Sequence, residues 1–214
     1  MILWVTRGRL ITVEGLDGAG KTTLVAGLAR LLAARGIDVN VLREPGGVEL
    51  SERIRDLVKD PELAVDPRAE ALLYAAARAQ LVAEQIEPLL EQGRWVLLDR
   101  FVDSSLAYQG AGRGLGVQEV RTLNEFATGG LKPDRTLLVR VDPAVGRERI
   151  AGREHDRLER EDEEFFTVIA TAYDQLAAAE PDRFAVIDGA QGPNRVLAEA
   201  LAAIELLLLP SVGA

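Results

Sequence analysis

Short apolar runs alternate along the chain with stretches in which apolar residues recur every three or four positions. Apolar runs predict buried strands at residues 10–13, 39–42, 95–99, 135–141 and 184–188. Helical spacing predicts helices after residue 20 and over residues 50–58, 68–92, 117–127, 165–179 and 193–208. Pro88 is expected to bend the longest of these helices near its end. Strands that alternate with helices predict an α/β fold, in which helices cover both faces of one parallel sheet.

The composition is that of one globular domain, and it argues against several classes of function. The chain has 214 residues, a net charge of −9, no cysteine and the single histidine His155. The negative charge argues against sequence-independent binding of nucleic acid. Disulfides, thiolate metal sites and histidine-rich metal sites are excluded by the cysteine and histidine counts. No apolar run reaches the roughly 18 residues of a membrane span, so we expect no membrane partner and a cytoplasmic protein.

The most informative stretch follows the first predicted strand. Residues 15–22 read Gly-Leu-Asp-Gly-Ala-Gly-Lys-Thr and match the phosphate-loop pattern G-x-x-x-x-G-K-[ST]. Glycines let such a loop turn its N–H groups toward a polyphosphate at the N-terminus of the following helix. Lys21 would then reach the β- and γ-phosphates, and the Thr22 hydroxyl would be a ligand of Mg²⁺.

Charged residues follow the other predicted strands. Asp99 ends the third predicted strand. A strand that ends in an aspartate is typical of the second nucleotide-binding motif, whose aspartate acts at or near Mg²⁺. Arginines are frequent at loop positions: Arg43, Arg55, Arg78, Arg100, Arg147, Arg149, Arg153 and Arg157. Phosphoryl transfer between two nucleotides needs such groups, because guanidinium binds phosphate oxygens bidentately and neutralises the charge of the transferring group.

Five further segments carry a family resemblance. Residues 43–47 read Arg-Glu-Pro-Gly-Gly, residues 72–80 read Leu-Leu-Tyr-Ala-Ala-Ala-Arg-Ala-Gln, and residues 99–110 read Asp-Arg-Phe-Val-Asp-Ser-Ser-Leu-Ala-Tyr-Gln-Gly. Residues 133–134 are Pro-Asp, and residues 156–159 read Asp-Arg-Leu-Glu. In these segments the chain resembles the bacterial thymidylate kinase family, and the resemblance runs from residue 9 to about residue 208. It implies a P-loop kinase fold, a three-layer sandwich whose five-stranded parallel sheet has the order 2-3-1-4-5. It also implies ATP as phosphate donor, Mg²⁺, dTMP as acceptor and a homodimer.

The predicted domain organisation follows from the same resemblance. One kinase domain would span residues 9–209, with a mobile lid at about 147–161. We interpret residues 1–8 as a short N-terminal extension and residues 210–214 as a tail.

The resemblance also implies which residues contact the acceptor dTMP. Tyr74 would stack on the thymine ring, where the family more often has phenylalanine, and Arg78 would bond a thymine carbonyl. Arg55 and Arg100 would bind the acceptor's phosphate, with Asp17 near its 3′-hydroxyl. Further candidates around the acceptor are Arg43, Glu44, Ser104, Ser105, Tyr108 and Gln109. Tyr108 would favour deoxyribose, and Ser104 is equally a candidate helix cap.

On the donor side, the resemblance implies that the whole loop holds the ATP phosphates. Its residues are Gly15, Leu16, Asp17, Gly18, Ala19, Gly20, Lys21, Thr22 and Thr23. Bacterial members with glycine at position 18 tend to supply a catalytic arginine from the lid, and we expect Arg153 in that role, with Arg149 second. Arg147 and Gln191 are further candidates for ATP. Lys21, Asp17 and Arg100 complete the predicted catalytic group, and Thr22 and Asp99 form the predicted Mg²⁺ site.

Two other functions are consistent with a phosphate loop. A kinase for another nucleoside monophosphate would lack the Tyr74–Arg78 pair, and a substrate panel distinguishes it. A partitioning or switch ATPase would hydrolyse ATP slowly and would release no ADP in response to a monophosphate. The sequence contains no Asn-Lys-x-Asp motif, which argues against a GTPase.

Overall fold

The computed structural model describes residues 6–208, and its centre is a five-stranded parallel sheet. The strands are Leu10–Glu14 (β1), Val39–Arg43 (β2), Trp95–Asp99 (β3), Arg135–Arg140 (β4) and Phe184–Asp188 (β5). Their order in the sheet is β2-β3-β1-β4-β5, which confirms the order implied by the family resemblance. Ile11 of β1 pairs with Leu97 on one side and with Arg135 on the other.

Helical segments connect the strands. They are Lys21–Ala34 (α1), Glu49–Lys59 (α2), Pro67–Leu81 (α3), Glu87–Glu91 (α4), Val102–Ser105 (α5), Val117–Thr128 (α6), Pro143–Ile150 (α7), Glu163–Ala179 (α8) and Pro193–Ala203 (α9). Val82–Ile86 and Leu106–Gly112 are π-helical, and Glu205–Leu208 is a 3₁₀ turn. Among residues 6–208, no helix is both long and apolar enough to cross a membrane.

The helices form layers on both faces of the sheet. On one face, Ile11 and Val13 pack in a cluster with Leu28 of α1 and Ala200 of α9. On the other face, Leu10 lies in a cluster with helical residues 81–90. Every residue of β1 is buried, as expected of a central strand that helices cover on both faces. This arrangement leaves the carboxyl ends of the strands as the open edge of the sheet.

The predicted helix 68–92 is divided by a π-helical stretch. The N–H of Glu87 donates to the carbonyl of Val82, five residues back, and Pro88 follows at once. Pro88 has no N–H and cannot continue the four-residue pattern, so the helix changes its hydrogen bonding just before it. The structure thus has a π-helical break where the sequence predicted a bend.

The predicted helix 193–208 ends early, at Ala203. Ile204 is fully buried, and its N–H donates to Leu201, three residues back. This tighter hydrogen bond starts the 3₁₀ turn. The predicted strand 135–141 likewise ends one residue early, at Arg140. Residues 1–5 of the predicted extension and the predicted tail 210–214 lie outside the described residues.

Candidate active site

The phosphate loop lies between the end of β1 and the first turn of α1. Gly18 has a φ of +77°, and a Cβ there would lie 2.1 Å from the carbonyl oxygen of Gly146, so only glycine fits. Nζ of the buried Lys21 donates hydrogen bonds to the carbonyls of Gly15 (3.1 Å) and Leu16 (2.9 Å). Burial and the neighbouring Arg100 lower the pKa of Lys21 to about 8. A desolvated amine at a helix N-terminus is a site for an anion.

A cavity of ≈ 950 Å³ opens at the carboxyl ends of β2 and β3, beside the phosphate loop. Its volume is at the upper end of the roughly 300–1,000 Å³ typical of small-molecule sites. Most of the predicted site residues line it: Asp17, Gly18, Gly20, Lys21, Thr22, Thr23, Arg43, Glu44, Arg55, Tyr74, Arg78, Asp99, Arg100, Ser104, Ser105, Tyr108, Gln109, Arg149 and Arg153. The fold therefore brings together residues from both the loop and the arginine-rich segments.

Arg100 joins the phosphate loop to the opposite wall of this cavity. Its Nη2 donates to Asp17 Oδ1 at 2.7 Å, and its guanidinium lies 5.1 Å from the centre of the Tyr108 ring. Burial opposes ionisation of Asp17, but Arg100 and Lys21 hold the pKa of that carboxyl well below its usual range. Near neutral pH the site thus holds an ionised carboxylate beside a guanidinium cation.

Arg78 is 1% exposed, and each nitrogen of its guanidinium group donates a hydrogen bond within the protein. Nε donates to Glu44 Oε2 at 2.7 Å, Nη1 to Ser105 Oγ at 2.9 Å and to Asn124 Oδ1, and Nη2 to the Phe101 carbonyl at 3.0 Å. Nη2 also lies 2.5 Å from Glu44 Oε2. Burial raises the pKa of Glu44, although Arg78 beside it favours the charged form. A bond from Arg78 to a ligand would therefore replace one of these internal bonds.

Asp99 and Thr22 suit a magnesium site that is completed by a polyphosphate. Asp99 Oδ1 is buried, and within the described residues it has no hydrogen-bond partner. Both residues line the cavity. In residues 6–208 no group of three or more acidic, histidine or cysteine side chains could hold a metal by itself. Mg²⁺ is bound in kinases through one or two carboxylates together with substrate phosphates, so this donor set fits it.

The first part of the predicted lid contacts the phosphate loop. Arg149 Nη1 donates to the carbonyls of Gly18 at 3.2 Å and Gly189 at 3.1 Å. Arg153 forms an ion pair with the buried Glu159, while its own side chain is 55% exposed. Arg149 is thus tied to the loop, whereas the Arg153 guanidinium lies at the solvent side of the cavity.

The second part of the lid is bound to α2 and α3. Lys59 Nζ donates to Asp156 Oδ2 at 2.6 Å, and Arg157 Nη2 donates to Glu70 Oε2 at 2.6 Å. The fully buried Glu70 also accepts a hydrogen bond from Gln109 Nε2 at 2.9 Å. Sequence reasoning missed Glu70, because an isolated glutamate in a helix resembles a solvent-exposed residue. Glu70 lies one turn before Tyr74 on the same face of α3, and this spacing was the signal available in the sequence.

Five predicted ATP contacts lie outside the cavity lining: Gly15, Leu16 and Ala19 of the loop, together with Arg147 and Gln191. The Arg147 guanidinium lies 5.9 Å from the centre of the Phe166 ring. Gln191 Nε2 lies 3.5 Å from Glu199 Oε2, to which it donates. All five residues stay predictions.

The interpretation of Ser104 as a helix cap is wrong. The cap position of α5 is Phe101, and Ser104 lies within the helix. Its hydroxyl donates to Glu14 Oε2 at 2.6 Å. The Ser104 hydroxyl therefore satisfies the buried carboxylate of Glu14 and not an N–H group at the helix terminus.

Comparisons with known proteins give one consistent family. The thymidylate kinase family model matches residues 13–200. Thymidylate kinase of Deinococcus radiodurans is 48% identical over 201 residues, which cover 94% of this chain and 98% of that protein. The Halorhodospira halophila thymidylate kinase is 47% identical over 211 residues, covering 97% and 98%. The crystal structure of thymidylate kinase from Ehrlichia chaffeensis superimposes with a TM-score of 0.75 at 30% identity, over 92% of this chain and 99% of that chain.

Proposed function

This chain belongs to the thymidylate kinase family, and we propose that its cavity transfers the γ-phosphoryl group of ATP to dTMP. One observation carries the proposal: the phosphate loop and the predicted thymine-binding pair, Tyr74 and Arg78, line the same cavity. A donor on the loop and an acceptor at this pair would lie side by side. Holding two reactants in one orientation is the main requirement of phosphoryl transfer, because the protein supplies little covalent chemistry.

On the donor side, Lys21 and the loop N–H groups bind the β- and γ-phosphates of ATP. Asp99 and Thr22 would hold Mg²⁺, which when bound would help to neutralise the negative charge of the polyphosphate. An oxygen of the dTMP phosphate attacks the γ-phosphorus, and the bond to the β-phosphate oxygen breaks to release ADP. The negative charge that spreads over the transferring group is met by Lys21, Arg100 and a lid arginine.

On the acceptor side, Arg55 and Arg100 bind the phosphate of dTMP. Arg55 Nη1 is held by the Pro45 carbonyl at 2.8 Å, at the edge of the cavity. Tyr74 stacks on thymine, and burial raises the pKa of its hydroxyl further above neutrality, so that the ring stays neutral. Arg100 covers the ring of Tyr108, and in this proposal Tyr108 would crowd a ribose 2′-hydroxyl and so favour deoxyribose. We place the reaction in the cytoplasm, where ATP and nucleoside monophosphates are found.

The direct test is ADP release, coupled to a spectroscopic readout, with dTMP, dUMP, dCMP, dGMP and UMP in turn. We expect the highest kcat/KM with dTMP and no appreciable ADP release without a monophosphate. A preference for another monophosphate would reassign the acceptor. ADP release that does not depend on any monophosphate would indicate an ATPase instead.

Arg78→Ala is expected to impair both stability and dTMP binding. The substitution leaves Glu44 buried without its cation, a loss of about 3–5 kcal/mol in the free energy of unfolding. It also removes a charged hydrogen-bond donor worth roughly 1.5–3 kcal/mol, so the KM for dTMP should rise about 10- to 100-fold. Urea unfolding and steady-state kinetics measure the two effects.

The matched control is the double variant Glu44→Gln/Arg78→Ala, which removes the unpaired charge. It should recover part of the stability while the KM for dTMP stays high. Equal increases in the KM values for dTMP and ATP would show that Arg78 has only a structural role.

We also propose that the enzyme is a homodimer formed through α2, α3 and α6. These three helices pack together, α2 on α3 and α3 on α6. They carry exposed apolar side chains: Leu50 and Leu57 are 48% and 49% exposed, Leu72 is 57% exposed and Phe126 is 90% exposed. A surface of this kind is typical of an interface between proteins.

Phe126→Asp is expected to weaken the dimer, because it would place an unpaired charge in an apolar interface. We expect the dissociation constant from sedimentation equilibrium to rise at least about tenfold, the equivalent of about 1.4 kcal/mol. Leu206→Asp is the control, since Leu206 is 82% exposed but lies in the 3₁₀ turn, away from these helices. Equal behaviour of the two variants would contradict this interface.

A further inference from the structure

Arg100 has an unusual backbone conformation. Its φ is +70°, and among residues 6–208 no other non-glycine residue has a positive φ. A side chain is unfavourable in this left-handed region, so the surrounding structure must hold such a residue in place. The conformation occurs directly after β3, at the residue whose guanidinium reaches Asp17 across the cavity.

Both peptide groups that flank Arg100 are bound to the end of β1. The Arg100 N–H donates to the Val13 carbonyl at 3.0 Å. The next N–H, that of Phe101, donates to Glu14 Oε1 at 2.7 Å. The first of these bonds is a backbone bond that any residue could make, whereas the second depends on the side chain at position 14.

Glu14 is also linked to the side chain of Arg100 through Ser104. Its Oε2 accepts hydrogen bonds from Ser104 Oγ at 2.6 Å and from the Tyr173 hydroxyl at 2.9 Å. Ser104 Oγ in turn accepts a hydrogen bond from Arg100 Nη1 at 3.2 Å. One carboxylate thus connects to the backbone beyond Arg100 and, through Ser104, to the guanidinium.

Glu14 does not line the cavity, and its side chain is fully buried. Burying a carboxylate is costly unless each oxygen is hydrogen-bonded, and here three donors satisfy it. Any effect of Glu14 on the reaction must therefore pass through the groups that it holds.

The geometry points to Glu14 as a positioning residue that keeps Arg100 in its left-handed conformation and directs the guanidinium to the acceptor's phosphate. This inference rests on the role proposed above for Arg100. It predicts that Glu14 affects the binding of a nucleoside monophosphate more than the binding of ATP, although Glu14 directly precedes the phosphate loop.

The test is a double-mutant cycle with Glu14→Ala, Arg100→Ala and the combined variant. The control is Thr12→Val, which removes the buried 2.8 Å hydrogen bond to Thr136 from the same strand but leaves Arg100 untouched. We expect Glu14→Ala to raise the KM for dTMP about tenfold and the KM for ATP less than about twofold. In the Arg100→Ala background, Glu14→Ala should add less than about twofold, because the two residues act as one unit.

Several outcomes overturn the inference. Additive effects of the two substitutions on the KM for dTMP would show that Glu14 does not act through Arg100. Equal increases in both KM values, or the same increases in Thr12→Val, would indicate general loosening of the site. If Arg100→Ala leaves the KM for dTMP unchanged, the role of Arg100 fails and that of Glu14 with it, while the substrate panel still decides the overall function.

A milder variant keeps the test valid if Glu14→Ala does not fold. Glu14→Gln retains the oxygen that accepts from Phe101, and its amide can donate to the Ser104 and Tyr173 hydroxyls, which are able to accept. The backbone of Arg100 then stays in place, and we expect a smaller rise in the KM for dTMP than in any folded Glu14→Ala sample. A KM for ATP that rises more than the KM for dTMP in Glu14→Gln would contradict the inference.

Discussion

Lys21→Ala is expected to lower kcat by about 10²–10³-fold or more, the usual effect of removing one preorganised charged contact to a transferring group. Lys21 Nζ is held by two loop carbonyls at the N-terminus of α1, where a polyphosphate would bind. In the proposed reaction, its ammonium group would meet negative charge that increases as the γ-phosphoryl group leaves ADP. Steady-state kinetics with saturating ATP and dTMP measures the effect.

The controls separate chemistry from folding. Lys21→Met keeps most of the aliphatic stem and removes only the charge, so it should lose activity as Lys21→Ala does while remaining folded. Lys132→Ala removes one positive charge from an exposed residue outside the cavity lining and should keep normal turnover. Near-normal kcat in a folded Lys21 variant would reject the phosphate-loop assignment.

Arg153→Ala is expected to lower kcat by at least about 10²-fold with little change in the KM for dTMP, since the contact would form only in the transition state. Arginines that reach a transferring phosphoryl group contribute on the order of 10³–10⁵ in rate. The Arg153 side chain is about half exposed, and within residues 6–208 its one ion pair is with Glu159 of the lid, so it can turn toward the cavity that it lines. Arg153→Lys should recover only part of the rate, because lysine cannot make the bidentate contact.

Arg149 and Arg160 make this prediction specific. Arg149 is bonded to the Gly18 and Gly189 carbonyls, so Arg149→Ala should disturb the contact between lid and loop and raise the KM for ATP. Arg160 is a lid residue that pairs with Glu62 and lies outside the cavity lining, so Arg160→Ala should behave as the parent. If Arg153→Ala and Arg149→Ala both turn over normally, the lid only covers the site.

Local sequence was sufficient to predict the elements of the fold. Apolar runs and helical spacing report which backbone segments are buried, and burial in a parallel sheet requires continuous apolar strands. The predicted helices were wrong where the backbone hydrogen bonding departs from the α-helical pattern, at Val82–Ile86 and after Ala203. A π-helical stretch and a 3₁₀ turn use the same residue types as an α-helix, so periodicity does not distinguish them.

The sequence by itself determined the phosphate loop, the strand that precedes it and the candidate arginines, because motif chemistry depends on residues adjacent in the chain. Only the tertiary structure decided what each arginine contacts. The partners of Arg78 lie 34 positions away at Glu44, 27 at Ser105 and 46 at Asn124. Glu14 meets Tyr173 across 159 positions. Such pairs form because packing excludes water and each buried polar group must then find a partner, a condition that spacing along the chain does not encode.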